Sequence, residues 1–263
     1  GLYKIPGFVN YKWVKVNSSF GSPSDDICVG YLNKRKIAFL PRHCRDHSIS
    51  QSKINFRANI ESLKILKVKN IISLSAVGSL RNDYEPGSFV LVDQFIDKTY
   101  KRNNTFFDDG IVAHVPFANP VCEKLKKKAS KILKKLKIKF HDTGTYVCIE
   151  GPQFSTLAES QLYRSWGCDV IGMTNMPEAK LAREASINYC SIAMVTDFDC
   201  WHPDHEKVTI ETIINTLNEN SSKAYDVINQ FSLIEKFDYD DSLKNQIQNS
   251  IITDLSKVNK KTK

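Results

Sequence analysis

The chain has 263 residues, 41% hydrophobic and 25% charged, with a formal net charge of +8. That composition is typical of folded globular proteins and excludes a collagen, a mucin-like stalk and bulk disorder. No apolar run is long enough to span a bilayer as a helix, and Gly1-Leu2-Tyr3-Lys4 lacks the basic-then-apolar pattern of a signal peptide.

In chain order, residues 11–16 alternate as a strand does. Residues 27–32 and 36–40 flank Asn33-Lys34-Arg35 as the two arms of a hairpin. Apolar residues at helical intervals predict a helix over 54–68. Residues 70–77 are a β-branched and apolar run ending at Gly78, and residues 89–95 read as another strand. Residues 97–110, with paired Asn and Asp, read as a loop. Residues 121–139 hold nine Lys against the single acid Glu123, which equals the excess charge of the whole chain. There Leu125, Ala129, Ile132, Leu133 and Leu136 fall on one helical stripe, predicting a surface helix with a solvated Lys face. It carries no aromatic residues for base stacking, so no nucleic-acid partner is expected.

Residues 145–149 read as a strand that ends at Glu150-Gly151-Pro152. Thr156-Leu157-Ala158-Glu159 is a capping box opening a helix through Trp166. Residues 168–173 form a short buried-type strand, and Pro177 suits the first turn of a helix to about Ala185. Residues 189–195 are a buried strand ending in Thr196-Asp197-Phe198-Asp199. A long amphipathic helix follows over 208–231, and residues 236–263 read as one more helix with a frayed basic end. Strands alternating with helices predict an α/β fold, a single domain with a mixed central sheet flanked by helices. The division expected is a domain over 1–231 and a basic helical tail over 232–263.

Seven Cys are scattered without C-x-x-C pairs, which fits idle thiols in a reducing cytoplasm. Cys200, His202 and His205 lie close together, and His43 and His47 are four apart, but neither set has a recognised zinc spacing, so no metal is expected. The absence of a Walker A loop and of G-x-G-x-x-G leaves a nucleoside triphosphate or a dinucleotide unsupported.

Ligands of α/β sheets gather beyond the carboxyl ends of strands. Those ends carry Arg42 and His43, the hydroxyls of Ser75, Ser155 and Thr174, the ring of Phe154, Met173, and the carboxylates of Asp197 and Asp199. An Arg with hydroxyls and backbone amides suits an oxyanion such as phosphate. A Phe suits a flat ring, and a carboxyl that shares a proton suits a nitrogenous leaving group. Each residue also has a plainer use. Arg42 could sit in an ion pair, Ser75 and Thr174 in turns, Ser155 and Thr156 as caps, and the two Asp as caps of the next segment.

The stretch Glu150-Gly151-Pro152-Gln153-Phe154-Ser155-Thr156-Leu157-Ala158-Glu159 resembles the signature of the trimeric purine nucleoside phosphorylase family. Trp166-Gly167-Cys168-Asp169-Val170-Ile171-Gly172-Met173-Thr174 continues the match, as do Pro41-Arg42-His43, Gly78-Ser79-Leu80 and Asp93-Gln94-Phe95-Ile96-Asp97. Thr196-Asp197-Phe198-Asp199-Cys200-Trp201 is similar to the subgroup that acts on 5′-methylthioadenosine. The resemblance spans about residues 1 to 231.

It implies phosphate-dependent cleavage of that nucleoside to adenine and 5-methylthioribose 1-phosphate, in purine and methionine salvage. The alternative is a purine nucleoside or methylthioinosine phosphorylase of the same family. Inorganic phosphate would be a co-substrate, no cofactor is implied, and the assembly would be a homotrimer with no membrane association. Laid on matching positions, Arg42, His43, Ser75, Ala76 and Thr174 would hold phosphate. Met173 would lie under the ribose and Phe154 against the purine. Asp197 would contact the purine at N6 and N7 and act as the catalytic proton donor, with Asp199 beside it. His47, Ile210 and Ile213 would border the 5′ substituent, Ser155 would join Ile210 and Ile213 in setting specificity, and His114 would reach a neighbouring subunit. Asp197 argues for adenine, whose amino group donates to it; 6-oxopurine members typically place Asn there.

Three departures accompany the resemblance. The family opens its phosphate cradle with a Gly-Gly-Ser/Thr-Gly turn after its first strand, and this sequence starts at what resembles the last Gly. The expectation is that the strand and hydroxyl ahead of Gly1 are cut from the record. Gly172 stands where some relatives have Asn, and Ser75 where Thr is more usual. From outside the family, a basic nucleic-acid-binding protein is the competing reading; a third reading is an inactive truncated relative that keeps only the trimer scaffold.

Overall fold

The computed structural model describes residues 2–203, 210–237 and 242–258, without the side chains of residues 210–213, 242, 244 and 245. Two sheets organise it. Strands β1 (Val9–Val14), β2 (Ile27–Leu32) and β3 (Arg35–Phe39) form an antiparallel three-stranded sheet in the order β1-β2-β3. The β2–β3 hairpin turns on Asn33 and Lys34, both at positive φ (50° and 65°), as a two-residue hairpin turn demands. Helix α1 (Phe56–Ile65) starts two residues later than its apolar spacing suggests, because the Asn55 side chain caps it by accepting the Ala58 N–H at 3.1 Å.

The larger sheet has seven strands: β4 (Asn70–Ser79), β5 (Phe89–Val92), β6 (Gln94–Lys98), β7 (Phe140–His141), β8 (Thr145–Ile149), β9 (Val170–Gly172) and β10 (Asn188–Asp197). Their order is β6-β8-β9-β4-β10-β5-β7. The sheet is mixed. Strand β4 runs parallel to β10 over nine partners, β8 runs parallel to β9, and β9 meets β4 antiparallel only at Gly78↔Ile171 and Ser79↔Val170. Strands β4 and β10 are the centre, and all of β10 is buried except its last residue, Asp197. The flanking helices are α2 (Glu123–Lys135), α3 (Leu157–Ser165), α4 (Glu178–Glu184), α5 (Ile210–Ser232) and α6 (Ser242–Ser250).

The run read as one strand over 89–95 is two. Strand β5 lies beside β10 and β6 at the opposite edge beside β8. Asp93 is the pivot: its N–H donates to Gly144 O at 3.1 Å, and its carboxylate accepts the Gly144 N–H at 3.2 Å and Lys126 at 3.0 Å. Asp93-Gln94 is a single polar pair inside an otherwise apolar run, too short a break to mark the crossover. The two-residue strand β7 is too short to show a period at all.

The Lys-rich segment forms α2 and buries Leu125, Ala129, Ile132 and Leu133. Its lysines are spread over separate partners: Lys126 on Asp93, Lys127 on Glu123 at 3.8 Å, Lys134 on Asp142 at 3.5 Å and Lys135 on Gln230 at 2.8 Å. The tail does not continue as a single helix. After α6, Ile251 bridges Ala113 antiparallel, with the His114 N–H on Ser250 O at 2.8 Å and the Ile252 N–H on Val112 O at 3.0 Å. Between β3 and residues 70–74 of β4 runs a groove of about 590 Å³, lined by apolar residues such as Ala38, Leu40, Ile60, Leu63 and Ile71 and ending at Arg42 and Ser73.

Candidate active site

Strand β9 opposes β4, so the site is not the shared carboxyl end of a parallel sheet. It lies where the last residues of β9 and β8 run back along β4. Asn175 shows how far: its Nδ2 donates to Ser73 Oγ at 3.3 Å, and its Oδ1 accepts the Ser191 hydroxyl at 2.6 Å. The turn after β9 is thereby pinned over the middle of β4, bringing Met173 and Thr174 toward Ser75 and Ala76.

The hydroxyls of Ser75, Thr174 and Ser155 are buried and make no hydrogen bond. A buried hydroxyl without a partner is unfavourable by about 1–3 kcal/mol, so each of these three has a hydrogen bond to offer. Arg42 bonds the residues just before Ser75 on β4. Its Nη1 pairs with the Glu178 carboxylate at 3.0 and 3.2 Å and donates to Ser73 Oγ at 3.1 Å, and its Nη2 donates to Leu74 O at 3.1 Å. Glu178 also accepts the Tyr189 hydroxyl at 2.8 Å. The guanidinium is thus held by α4, β4 and β10 together, in the ion pair that is its plainer use.

His43 Nδ1 lies 2.8 Å from Ile49 O, and a carbonyl only accepts, so Nδ1 carries the proton and Nε2 is left bare in the neutral ring. Burial, with Arg42 and His47 nearby, pushes its pKa down to about 4. His43 stacks on the exposed His47 with ring centres 4.4 Å apart.

At the carboxyl end of β10 stands Asp197, paired with Gly78 of β4. A Cβ at Gly78 would sit 2.9 Å from Asp197 Oδ1 and 3.0 Å from Ile171, so only glycine leaves room for this carboxyl. Asp197 Oδ1 accepts the Asp199 N–H at 2.8 Å, and Oδ2 lies 2.7 Å from the Thr196 hydroxyl. Burial pushes the Asp197 carboxyl above the ordinary carboxylate range; those two hydrogen bonds pull against it and the Asp199 charge adds to it. Asp199, also raised mainly by burial, connects through Cys200, whose Sγ donates to Ser155 O at 3.4 Å. The loop after β10 and the loop after β8 therefore touch.

Phe154 is on that second loop and is 52% exposed, as is Leu157. Met173 Sδ packs against Gly151. Ile210 and Ile213 stand at the start of α5, where side chains fall outside the described residues, as does His205 entirely. His114 is exposed on the segment paired with residues 250–252.

Two features had no sequence signal. The first is Arg102, in the stretch read as a plain loop. Its side chain is 1% exposed, and its guanidinium donates to Glu150 Oε1 at 3.2 Å, to Met173 O at 2.8 Å, to Met176 O at 2.6 Å and to Glu150 O at 2.8 Å. It fastens the loop carrying Phe154 to the loop carrying Thr174. Burial opposes ionisation of Glu150, but Ser52, the N–H groups of Tyr100 and Lys101, and Arg102 outweigh it and hold its pKa at about 2. The second is Tyr146, fully buried on β8. Its hydroxyl accepts the Thr174 N–H at 3.4 Å and occupies the place a Cβ at Gly172 would need. That overlap explains why residue 172 is Gly here.

Residues 8–232 match the profile of the Phosphorylase superfamily. An S-methyl-5′-thioadenosine phosphorylase of Rhodospirillum rubrum is 51% identical over 256 residues, covering 96% of this chain and 87% of that relative. Among solved structures, a methylthioadenosine phosphorylase from an Antarctic soil metagenomic library matches with a TM-score of 0.94 at 44% identity, covering 100% of this chain and 93% of the other. The methylthioadenosine phosphorylase of Schistosoma mansoni in complex with adenine matches with a TM-score of 0.88 at 33% identity, covering 95% and 93%.

Proposed function

We propose, for a chain that belongs to the Phosphorylase superfamily, the phosphate-dependent cleavage of 5′-methylthioadenosine to adenine and 5-methylthioribose 1-phosphate. The fold is that of the nucleoside phosphorylases, and the enzyme is a pentosyltransferase with phosphate as co-substrate. The observation that carries the residue assignment lies along the paired strands β4 and β10. The unpartnered buried hydroxyls of Ser75 and Thr174 and the guanidinium of Arg42 lie by residues 73–75 of β4, and the partly buried Asp197 stands opposite Gly78. Three residues of strand separate them, about 10 Å. That is room for a sugar and a base between an anion at one end and a proton donor at the other.

In this reading Arg42, Ser75, Ala76 and Thr174 hold phosphate below the ribose, over Met173, and the bare Nε2 of His43 accepts the hydroxyl of a protonated phosphate oxygen. A phosphate oxygen forms the bond to the anomeric carbon as the bond to N9 breaks, and the phosphate charge stabilises the oxocarbenium character that develops. The electron pair goes to the purine, which takes a proton at N7 from Asp197. The other Asp197 oxygen accepts from the N6 amino group, with Asp199 beside it. Phe154 covers the base, while His47, Ser155, Ile210 and Ile213 border the rest of the substrate. No cofactor is needed for these steps, and the compartment proposed is the cytoplasm. Among the described residues no helix is long and apolar enough to cross a membrane.

A homotrimer is the proposed assembly. It is supported by an apolar surface on and around α3, where Phe154, Leu157, Leu162 and Trp166 are each about half exposed and Tyr100 is 75% exposed.

The decisive assay is adenine release from 5′-methylthioadenosine with and without phosphate. Release only with phosphate is expected. No release, or cleavage of inosine, guanosine or methylthioinosine instead, would overturn the adenine assignment. Asp197→Asn should lower adenine-nucleoside turnover by roughly 10²–10⁴-fold and improve 6-oxopurine cleavage relative to it.

A further inference from the structure

Thr196 is the residue before Asp197, and it is 4% exposed. Its hydroxyl oxygen lies between two acceptors, Asp197 Oδ2 at 2.7 Å and the Val77 carbonyl oxygen at 3.2 Å. A hydroxyl has one proton to give, and a carbonyl can only accept. The two contacts therefore correspond to two states. While Asp197 carries its proton, the Thr196 hydroxyl donates to Val77 O and turns a lone pair to the carboxyl. Once Asp197 is ionised, the same hydroxyl rotates about its C–O bond and donates to Oδ2. No heavy atom moves between the states. Asp197 Oδ1 keeps the Asp199 N–H in both.

We propose that Thr196 is the positioning residue for proton delivery to the leaving purine: its hydroxyl swings from Val77 O to Asp197 Oδ2 as the proton leaves the carboxyl for N7. The inference rests on the reading of Asp197 as the donor. The bond change is balanced. The carboxyl O–H breaks, the N7–H forms, and the negative charge left on Oδ2 meets a hydrogen bond that was directed elsewhere in the ground state. An interaction made mainly as charge develops lowers the barrier and not the substrate affinity. Among the described residues the polar neighbours of this pair are few. Asp199 is the charged group beside Asp197, with Cys200 Sγ 3.8 Å from its carboxylate and Glu159 and Tyr163 of α3 on its far side. Gly78, paired with Asp197, and Ile171, packed beside Gly78, bring no charge.

The test compares Thr196→Val, which keeps the shape and removes the hydroxyl, with Thr196→Ser, which keeps the hydroxyl. With 5′-methylthioadenosine and phosphate, Thr196→Val should lower kcat by roughly 10- to 100-fold and leave the KM for phosphate unchanged. The alkaline limb of its kcat/KM profile should move to higher pH, because the ionised carboxyl has lost a donor. Thr196→Ser should restore both. An N7-methylated purine nucleoside, whose base departs without taking a proton there, should be cleaved at similar rates by wild type and Thr196→Val. Equal losses on both nucleosides, an unmoved pH profile, or a Ser variant as poor as Val would overturn the role of Thr196. A wild-type protein that cleaves neither nucleoside in phosphate would instead overturn the reading of the site itself.

Discussion

Ser75 and Thr174 hold hydroxyls that the protein leaves unsatisfied, so activity and stability should respond to their removal with opposite signs. Thr174→Ala and Ser75→Ala each delete a buried hydroxyl that is desolvated and makes no bond. Stability should hold steady or rise by up to about 1 kcal/mol, since no hydrogen bond is lost and a desolvated polar group is removed. The KM for phosphate should rise roughly tenfold per hydroxyl, the worth of one hydrogen bond to a charged group. Thermal unfolding and phosphate-saturation kinetics on the same preparations check both halves. At this scale the sequence was informative about end-of-strand residues: Arg42, Thr174 and Asp197 each follow or close an apolar run, where ligand groups gather. Arg102 was not legible. Three of its four closest partners are backbone carbonyls, and a backbone oxygen leaves no trace in residue type.

Strands and helices are arranged so that two loops, after β8 and after β9, are held by a third. Arg102 brings that third loop under both and lies against Glu150, which is 5% exposed. Arg102→Met should therefore leave a buried carboxylate without its cation and destabilise the fold by about 3–5 kcal/mol. Adding Glu150→Gln should recover part of that loss, because the stranded charge is then removed. Urea unfolding of the single and double variants measures the difference. Elements with a clean period or a clean border matched their expected limits: β2 and β8 begin and end where their patterns do, and the capping box at Thr156 opens α3. Elements defined only by tertiary contacts did not. Strand β6 is distinguished from β5 by the Asp93–Gly144 hydrogen bonds, and the tail beyond α6 by its pairing with residues 112–114.

The molecule as a whole separates its charge from its chemistry. Helix α2 carries most of the positive excess, and its stripe of Leu125, Ala129 and Leu133 faces the β5–β10 side of the sheet together with α5. The face near α3 has the opposite character, and there the assembly can be tested. Leu157→Glu combined with Trp166→Glu puts two carboxylates on half-exposed apolar positions and should cost the isolated chain little stability. In sedimentation velocity the wild type should run at three times the chain mass and the double variant near the mass of one chain; a wild type that is monomeric at micromolar concentration would rule the trimer out. Deeper in the same sheet, Tyr146 and Gly172 share one volume, and this constrains the order in which descendants of this sequence can change. A side chain cannot be gained at 172 while Tyr146 stands, whereas Tyr146 can shrink first and leave only a cavity. In this chain a residue larger than Gly at 172 is therefore expected to be tolerated only together with a smaller residue at 146.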